Sequence, residues 1–218
     1  MLNEILKGLG DTLYMSIVST VLAYVIGLSL GIVLAVTDKN GLKPNIFINK
    51  ALGIVINVLR SVPFLILMVA VIPFTRLVVG TSIGASATIV PLTLAAAPFV
   101  ARLTETSLKE VDGGVIEAAQ SFGTPAVKII LKAIIPEALP SLLSNVAIAF
   151  VTIVGYSAMA GACGGGGLGQ IAINYGYYRN NSKVMYITVA IIVVIVQIFQ
   201  EFGLWLARFK DKRRKHKK

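Results

Sequence analysis

The sequence predicts an all-α integral membrane protein of one domain, residues 1–218, with five transmembrane helices, its N-terminus outside and its C-terminus in the cytoplasm. Three observations lead there. Of 218 residues, 56% are hydrophobic and 14% charged, against roughly 45–50% and about 25% in soluble domains. Charge-free runs cover 12–37, 61–75, 77–101, 138–178 and 184–200. Most are long enough for the ~20-residue helix that crosses a bilayer, and the shorter ones extend past a flanking charge. Finally, Lys and Arg collect in alternate loops, as the positive-inside rule requires.

The spans are expected at Thr12–Thr37, Phe47–Phe74, Ser82–Leu103, Leu139–Ala162 and Val184–Ala207. Residues 1–11 carry neither a basic n-region nor a small-residue cleavage site, so the first helix is expected to be retained. The first loop holds Lys39, Lys43 and Lys50, and the third holds Arg102, Lys109, Lys128 and Lys132. The second holds only Arg76, while the fourth, with Arg179 and Lys183, fits the alternation less well. A basic tail over 208–218, ending in KDKRRKHKK, places the C-terminus inside. Topology and attraction to anionic lipid account for this charge without nucleic-acid binding. One cysteine, Cys163, and one histidine, His216, allow no intrachain disulfide and no Cys/His metal cluster.

In the first span Gly27 and Gly31 form a G-x-x-x-G pair suited to close helix approach. In the second, Arg60 is a basic residue inside apolar sequence, where a charge costs about 2.5–3.5 kcal/mol on insertion scales. Contact with a substrate carboxylate or a gate is one reading of it; snorkelling or a structural hydrogen bond is the other. Pro91 and Pro98 predict kinks in the third span. The fourth ends in GYSAM, with Tyr156, Ser157 and Met159 as candidates for a gate or translocation path, Met159 offering a flexible apolar seal. Core or lipid packing is the alternative for all three. In the fifth, Glu201 is placed to pair with Arg208 or to face a cavity.

Two segments interrupt the apolar pattern. The loop over about 104–137 is too polar to cross a bilayer, yet its composition favours two short helices. Asp112 caps the first, Val115, Ala119 and Phe122 share a face, Glu117, Gln120 and Ser121 point elsewhere, and Gly123 ends it. Thr124 and Pro125 begin the second as N-cap and first residue, and Pro136 stops it after about Ile134. The other interruption, AGACGGGGLGQ, formally matches G-x-G-x-x-G at Gly164, Gly166 and Gly169. That fingerprint has meaning only between a strand and a helix, and a stretch this rich in glycine cannot be a regular span. Tyr175, Tyr177 and Tyr178 follow it as interfacial aromatics.

The loop EAAQSFGTPAVKIILKAIIP resembles the signature of bacterial ATP-binding-cassette (ABC) importer permeases at Glu117, Ala118, Ala119, Gly123 and Pro136. It departs from the pattern at Ala133 and Ile135, where the family has Ile and Leu. The resemblance implies the type I ABC importer permease fold, with this loop, Phe122 included, acting as a coupling helix in a cleft of a cytoplasmic ATPase. Together with RSVPF, IPFTRLVVGTSIG, IVPLTLAAAPFVAR and the stretch from Gly155 to Tyr178, the chain is similar to the permeases of methionine importers. That similarity implies a homodimer in the bacterial inner membrane, two ATPase copies, an extracytoplasmic methionine-binding protein and surrounding lipid as partners. No Walker A lysine pattern occurs, so no enzyme activity and no cofactor are expected in this chain; ATP and magnesium belong to the ATPase. Import of another amino acid or a quaternary amine, and an ATPase-independent channel or secondary transporter, are the alternatives. A membrane enzyme fits least, since no span carries paired acids or an activated nucleophile.

Overall fold

A computed structural model describes residues 1–210; the basic tail beyond Lys210 lies outside the described residues. The chain folds as α1 (Leu2–Thr37), α2 (Ile46–Ser61), α3 (Phe64–Ala70), α4 (Ile72–Val79), α5 (Ala85–Lys109), α6 (Gly113–Ser121), α7 (Ala126–Ile129), α8 (Ile135–Ala160), α9 (Gly167–Ile171) and α10 (Ser182–Lys210). Four helical stretches are long and apolar enough to cross a membrane: α1, α5, the continuous rod Ala126–Cys163, and α10. The fifth crossing differs from the expected straight span over Phe47–Phe74. It is broken, α2 meeting α3 at 102°. Pro63 at the break has no N–H to continue the α2 ladder, and α4 restarts at Val71 with Pro73 in its first turn.

The centre of the molecule is the pairing of α1 with α5. A Cβ on Gly31 would stand 2.5 Å from Thr104 Cβ and 2.6 Å from the Ala101 carbonyl, and one on Gly27 would stand 2.6 Å from Val100 Cβ. The expected glycine pair is therefore a packing device. Around it Met15, Ala23, Leu92, Ala96, Ala97 and Val100 join Ala149, Ile153 and Ala160 of α8 in one core. Helix α5 runs through Pro91 and Pro98 without a break. Both prolines are buried, and the packed turns on either side hold the helix where the ladder loses a bond.

The glycine run threads between these rods. Gly164, Gly166 and Gly167 take φ of 80°, 82° and 75°, a region open to glycine alone among residues of ordinary cost. The irregular backbone is tied on both sides. Leu168 N–H donates to Thr12 Oγ1 at 2.9 Å, Thr88 Oγ1 donates to the Gly165 carbonyl at 3.1 Å, and Gly84 N–H donates to the Gly164 carbonyl at 2.9 Å. These bonds satisfy the non-helical backbone within the protein. A π-helical turn, Ala172–Tyr178, then leads to α10.

Local capping explains α6. The Asp112 side chain accepts from Gly114 N–H at 2.8 Å, as expected. The C-terminus closes with Gly123 N–H bonded to the Gln120 carbonyl at 2.8 Å and Thr124 N–H to the Ala119 carbonyl at 3.2 Å, with Gly123 at φ 67°. This is a Schellman turn, which requires the left-handed conformation that glycine adopts freely. Three details differ from expectation. Pro125, not Thr124, is the N-cap of α7. Val115 and Phe122 are exposed, whereas Ile116 and Ala119 pack inward against Leu108, Val111, Ile129 and Ile134. Pro136 does not stop the helix. A π-turn at Ile130–Ile134, with Ile135 N–H bonded to the Ile130 carbonyl, leads directly into α8, and Pro136 falls in its first turn, where its missing N–H is harmless.

Packing and capping predict the outcome of three substitutions. Gly31→Val drives methyl groups into Thr104 and the Ala101 carbonyl, costing about 1–3 kcal/mol and lowering the thermal midpoint in detergent. Gly10→Ala, with nothing within 4 Å of the added carbon, leaves that midpoint unchanged or higher. Asp112→Ala removes the α6 cap, costs about 1 kcal/mol, and speeds amide hydrogen exchange over 113–117 with α5 unaffected.

Candidate functional site

Of the expected coupling residues, Glu117, Ala118, Phe122 and Gly123 form an exposed promontory, while Ala119 turns inward and Pro136 stands on α8. Glu117 and Ala118 lie on the outward side of α6, Ala119 on its inward side, and Phe122 projects at the tip, 88% exposed. A bare aromatic ring on a capped turn is a ready anchor for another protein. Gly123 makes the turn behind it, and Pro136 stands further along the connecting helix. Ile116 and Ala119 rest on the cluster of Leu108, Val111, Ile129, Ile134, Ala138 and Leu142. Displacing α6 therefore pushes at once on the end of α5 and the start of α8.

A cavity of about 670 Å³ opens beside this promontory, between α6 and the α1–α2 loop. Asp38, Lys109, Glu117 and Gln120 are among its polar lining residues. Lys109 bridges Asp38 at 2.8 Å and Glu105 at 2.7 Å. The hydrogen bonds from Lys109 and from Asn40 N–H hold the Asp38 carboxyl below the usual carboxylate range, so this pair stays ionised at neutral pH. Glu105 also meets Arg102 at 2.6 Å. From the sequence, Arg102 and Lys109 count as charges of the third loop, and their joining through Glu105 and Asp38 was missed. The available signal was spacing: Arg102, Glu105 and Lys109 stand three and four apart on one helix.

At the opposite end of α8 the gate candidates separate. Met159 is half exposed, on an open face that also carries Ile148 and Gly155. Tyr156 turns sideways and stacks on Phe64 of α3, ring centroids 4.7 Å apart and planes 2° apart. Ser157 lies off the open face; it is buried, its hydroxyl donating to the Val154 carbonyl at 2.8 Å. Arg60 sits in the last turn of α2, exposed, immediately before the break to α3. These residues do not form a single pocket in one copy of the chain.

The other interfacial groups find partners. Tyr175 donates to Glu4 at 2.7 Å and carries the Arg179 guanidinium 4.4 Å over its ring, while Tyr177 and Tyr178 are exposed. Glu201 reaches Arg208 at 3.6 Å, the pairing considered from sequence.

Comparison with known proteins gives this arrangement its context. The chain is 52% identical over 203 residues to a probable D-methionine transport system permease protein of Vibrio cholerae, covering 93% of this chain and 90% of that one. It is 42% identical over 180 residues to the methionine import system permease protein of Bacillus subtilis, covering 83% and 81%. Among solved structures it matches the MetNI methionine ABC transporter in an inward-facing conformation with a TM-score of 0.96 and 43% identity, over 97% of this chain and 98% of that one. The family model of binding-protein-dependent transport system inner membrane components matches residues 27–215. With four apolar helices long enough to cross a membrane, a bent helix pair that makes a fifth if it is one span, and a family match over residues 27–215, the chain belongs to this family of multi-pass inner-membrane transport proteins.

Proposed function

We propose that the chain is the membrane-spanning permease subunit of an ATP-driven methionine importer. The observation that carries this reading is the match of nearly the whole fold, at 43% identity, to a methionine ABC transporter. The substrate is assigned from the relatives, which are permeases of methionine transport systems. Two copies pack about a twofold axis, since five crossings do not by themselves enclose a path for a zwitterion. The open α8 face carrying Met159 lines that axis. The α6 end lies in the cytoplasm, where Glu117, Ala118 and Phe122 enter a cleft of the ATPase, one ATPase for each permease. The N-terminus and the glycine run lie outside, where a methionine-binding protein delivers substrate; lipid surrounds the remaining surface. ATP and magnesium act on the ATPase, and this chain contributes no catalytic group.

The mechanism follows from how α6 is supported. When nucleotide binding draws the motors together, each cleft carries Phe122 and α6 with it. Ile116 and Ala119 press on the apolar cluster at the feet of α5 and α8, and because α8 is one helical rod continuous with α7, its far end moves too. Met159 then leaves the axis and the dimer opens outward. Hydrolysis restores the inward-facing arrangement.

The test is uptake of labelled methionine into proteoliposomes holding the permease and its ATPase. Phe122→Ala removes the anchor and weakens the ATPase by about 2 kcal/mol, roughly thirtyfold in affinity, with the permease fold unchanged by circular dichroism. Methionine uptake that persists without any ATPase would overturn the proposal, as would a complex whose uptake responds to other solutes and not to methionine.

A further inference from the structure

Helix α2 is weakly held by apolar packing. Of its 16 residues, only Gly53 and Ile56 are buried. Ile56 and Leu52 pack on Leu30 and Leu34 of α1 and Ala101 of α5, and polar groups supply the rest of its grip. Asn49 Nδ2 donates to the Leu34 carbonyl of α1 at 2.8 Å. Four and eight residues on, the fork of Arg102 takes over, Nη2 donating to the Gly53 carbonyl at 3.2 Å and to Asn57 Oδ1 at 3.0 Å. Glycine leaves room for this approach: a Cβ at residue 53 would stand 3.3 Å from that nitrogen, so the guanidinium would have to give by a few tenths of an ångström.

Arg102 is itself aimed by Glu105. Its Nη1 meets Glu105 Oε2 at 2.6 Å, and the other carboxylate oxygen receives Lys109 at 2.7 Å, which continues to Asp38 at 2.8 Å. Glu105 is only 7% exposed. A buried carboxylate between two cations adds little net stability over apolar residues of the same volume, yet it fixes where a bidentate guanidinium points. The chain of charges begins at the cavity beside Glu117 and Gln120 of α6 and ends on α2, four residues before its last turn gives way at 102° to α3.

We propose that Arg102 and Glu105 are positioning residues for transport, which clamp α2 to the α5 rod so that displacement of the coupling helix reaches the bend between α2 and α3. This rests on the importer reading above. Without the clamp the α6 end of α5 moves and α2 lags, so nucleotide is hydrolysed with less substrate moved.

The experiment uses the full complex with its ATPase in proteoliposomes, reading methionine moved per ATP hydrolysed, together with the electron paramagnetic resonance line shape of a spin label at exposed Val58 on α2. If the wild-type complex takes up no methionine, the importer reading fails before the clamp is tested. Where the wild type transports, Glu105→Gln is expected to lower the ratio roughly tenfold, the effect of losing a charge-assisted hydrogen bond, and to narrow the Val58 spectrum as α2 loosens. Adding Asn57→Asp to that variant returns a carboxylate to Arg102, now from α2 itself, and is expected to restore both the ratio and the line shape. A purely structural role predicts instead a lower thermal midpoint with the ratio unchanged, and that result overturns the proposal. So does a ratio that falls and is not restored by Asn57→Asp. Should Glu105→Gln fail to assemble, Asn57→Leu breaks the same clamp from an exposed position; an unchanged ratio and line shape there overturn it equally.

Discussion

Everything in this molecule is measured from the close approach of α1 and α5. Lipid is as apolar as leucine, so apolar side chains alone give two membrane helices little reason to associate; packing without intervening atoms does. Gly27 and Gly31 let the backbone of α1 reach Val100, the Ala101 carbonyl and Thr104. A rod pair of this kind has fixed spacing and fixed rotation. Those two properties let other parts of the chain be irregular and still be placed.

The irregular parts borrow their order from the rods. The glycine run has no ladder of its own, and Thr12 on α1 and Thr88 on α5 satisfy its backbone from both sides. Helix α8 is pinned in the same manner, the Tyr24 hydroxyl of α1 donating to the Leu142 carbonyl at 3.1 Å and Asn145 donating to Ser107 of α5 at 2.7 Å. Such bonds are directional, so they set position as well as adding energy. The α2–α4 arm is the exception. Its α2 segment meets the rods through Ile56, Leu52 and a few polar groups, and after the bend Phe64 and Met68 of α3 enter the core again.

This division explains what could be read from the sequence. The capped helix at Asp112, the turn at Gly123, the glycine pair in α1 and the irregular glycine run all depend on local chemistry that residue type reveals. The broken second crossing was not legible as such. Hydropathy over residues 47–74 is the same whether the helix is straight or bent, and only Pro63 and Pro73 hinted otherwise. Pro136 misled in the other direction: proline ends a helix only when its N–H is needed, and the π-turn before it had already changed the bonding. The Val115, Ala119, Phe122 face did not form because Ala119 turns inward with Ile116 onto the cluster at the feet of α5 and α8, leaving Val115 and Phe122 exposed. The charges of Arg102, Glu105 and Lys109 were legible singly and not as a chain, because their partners Asp38 and Asn57 come from other elements.

A lever needs a stiff member and a joint, and the chain provides them in sequence order along one rod. From Ala126 to Cys163 the helix is continuous, so its two ends cannot move independently by simple bending. The π-turn at Ile130–Ile134 lies below the Leu142 and Asn145 pins, between them and the docking promontory. A π-turn inside an α-helix departs from the regular ladder, and such turns are concentrated at functional sites. In the proposed mechanism, motion arriving at α6 therefore divides. Part is absorbed as rotation at the π-turn, and the rest passes through the apolar cluster into the pinned segment and on to Met159. The division is set by how firmly the pins hold, which returns the question to the α1–α5 pair that carries them. A looser glycine contact would let both pins travel with the foot of α8, and the far end would then follow the motor without the change in angle that opens a twofold gate.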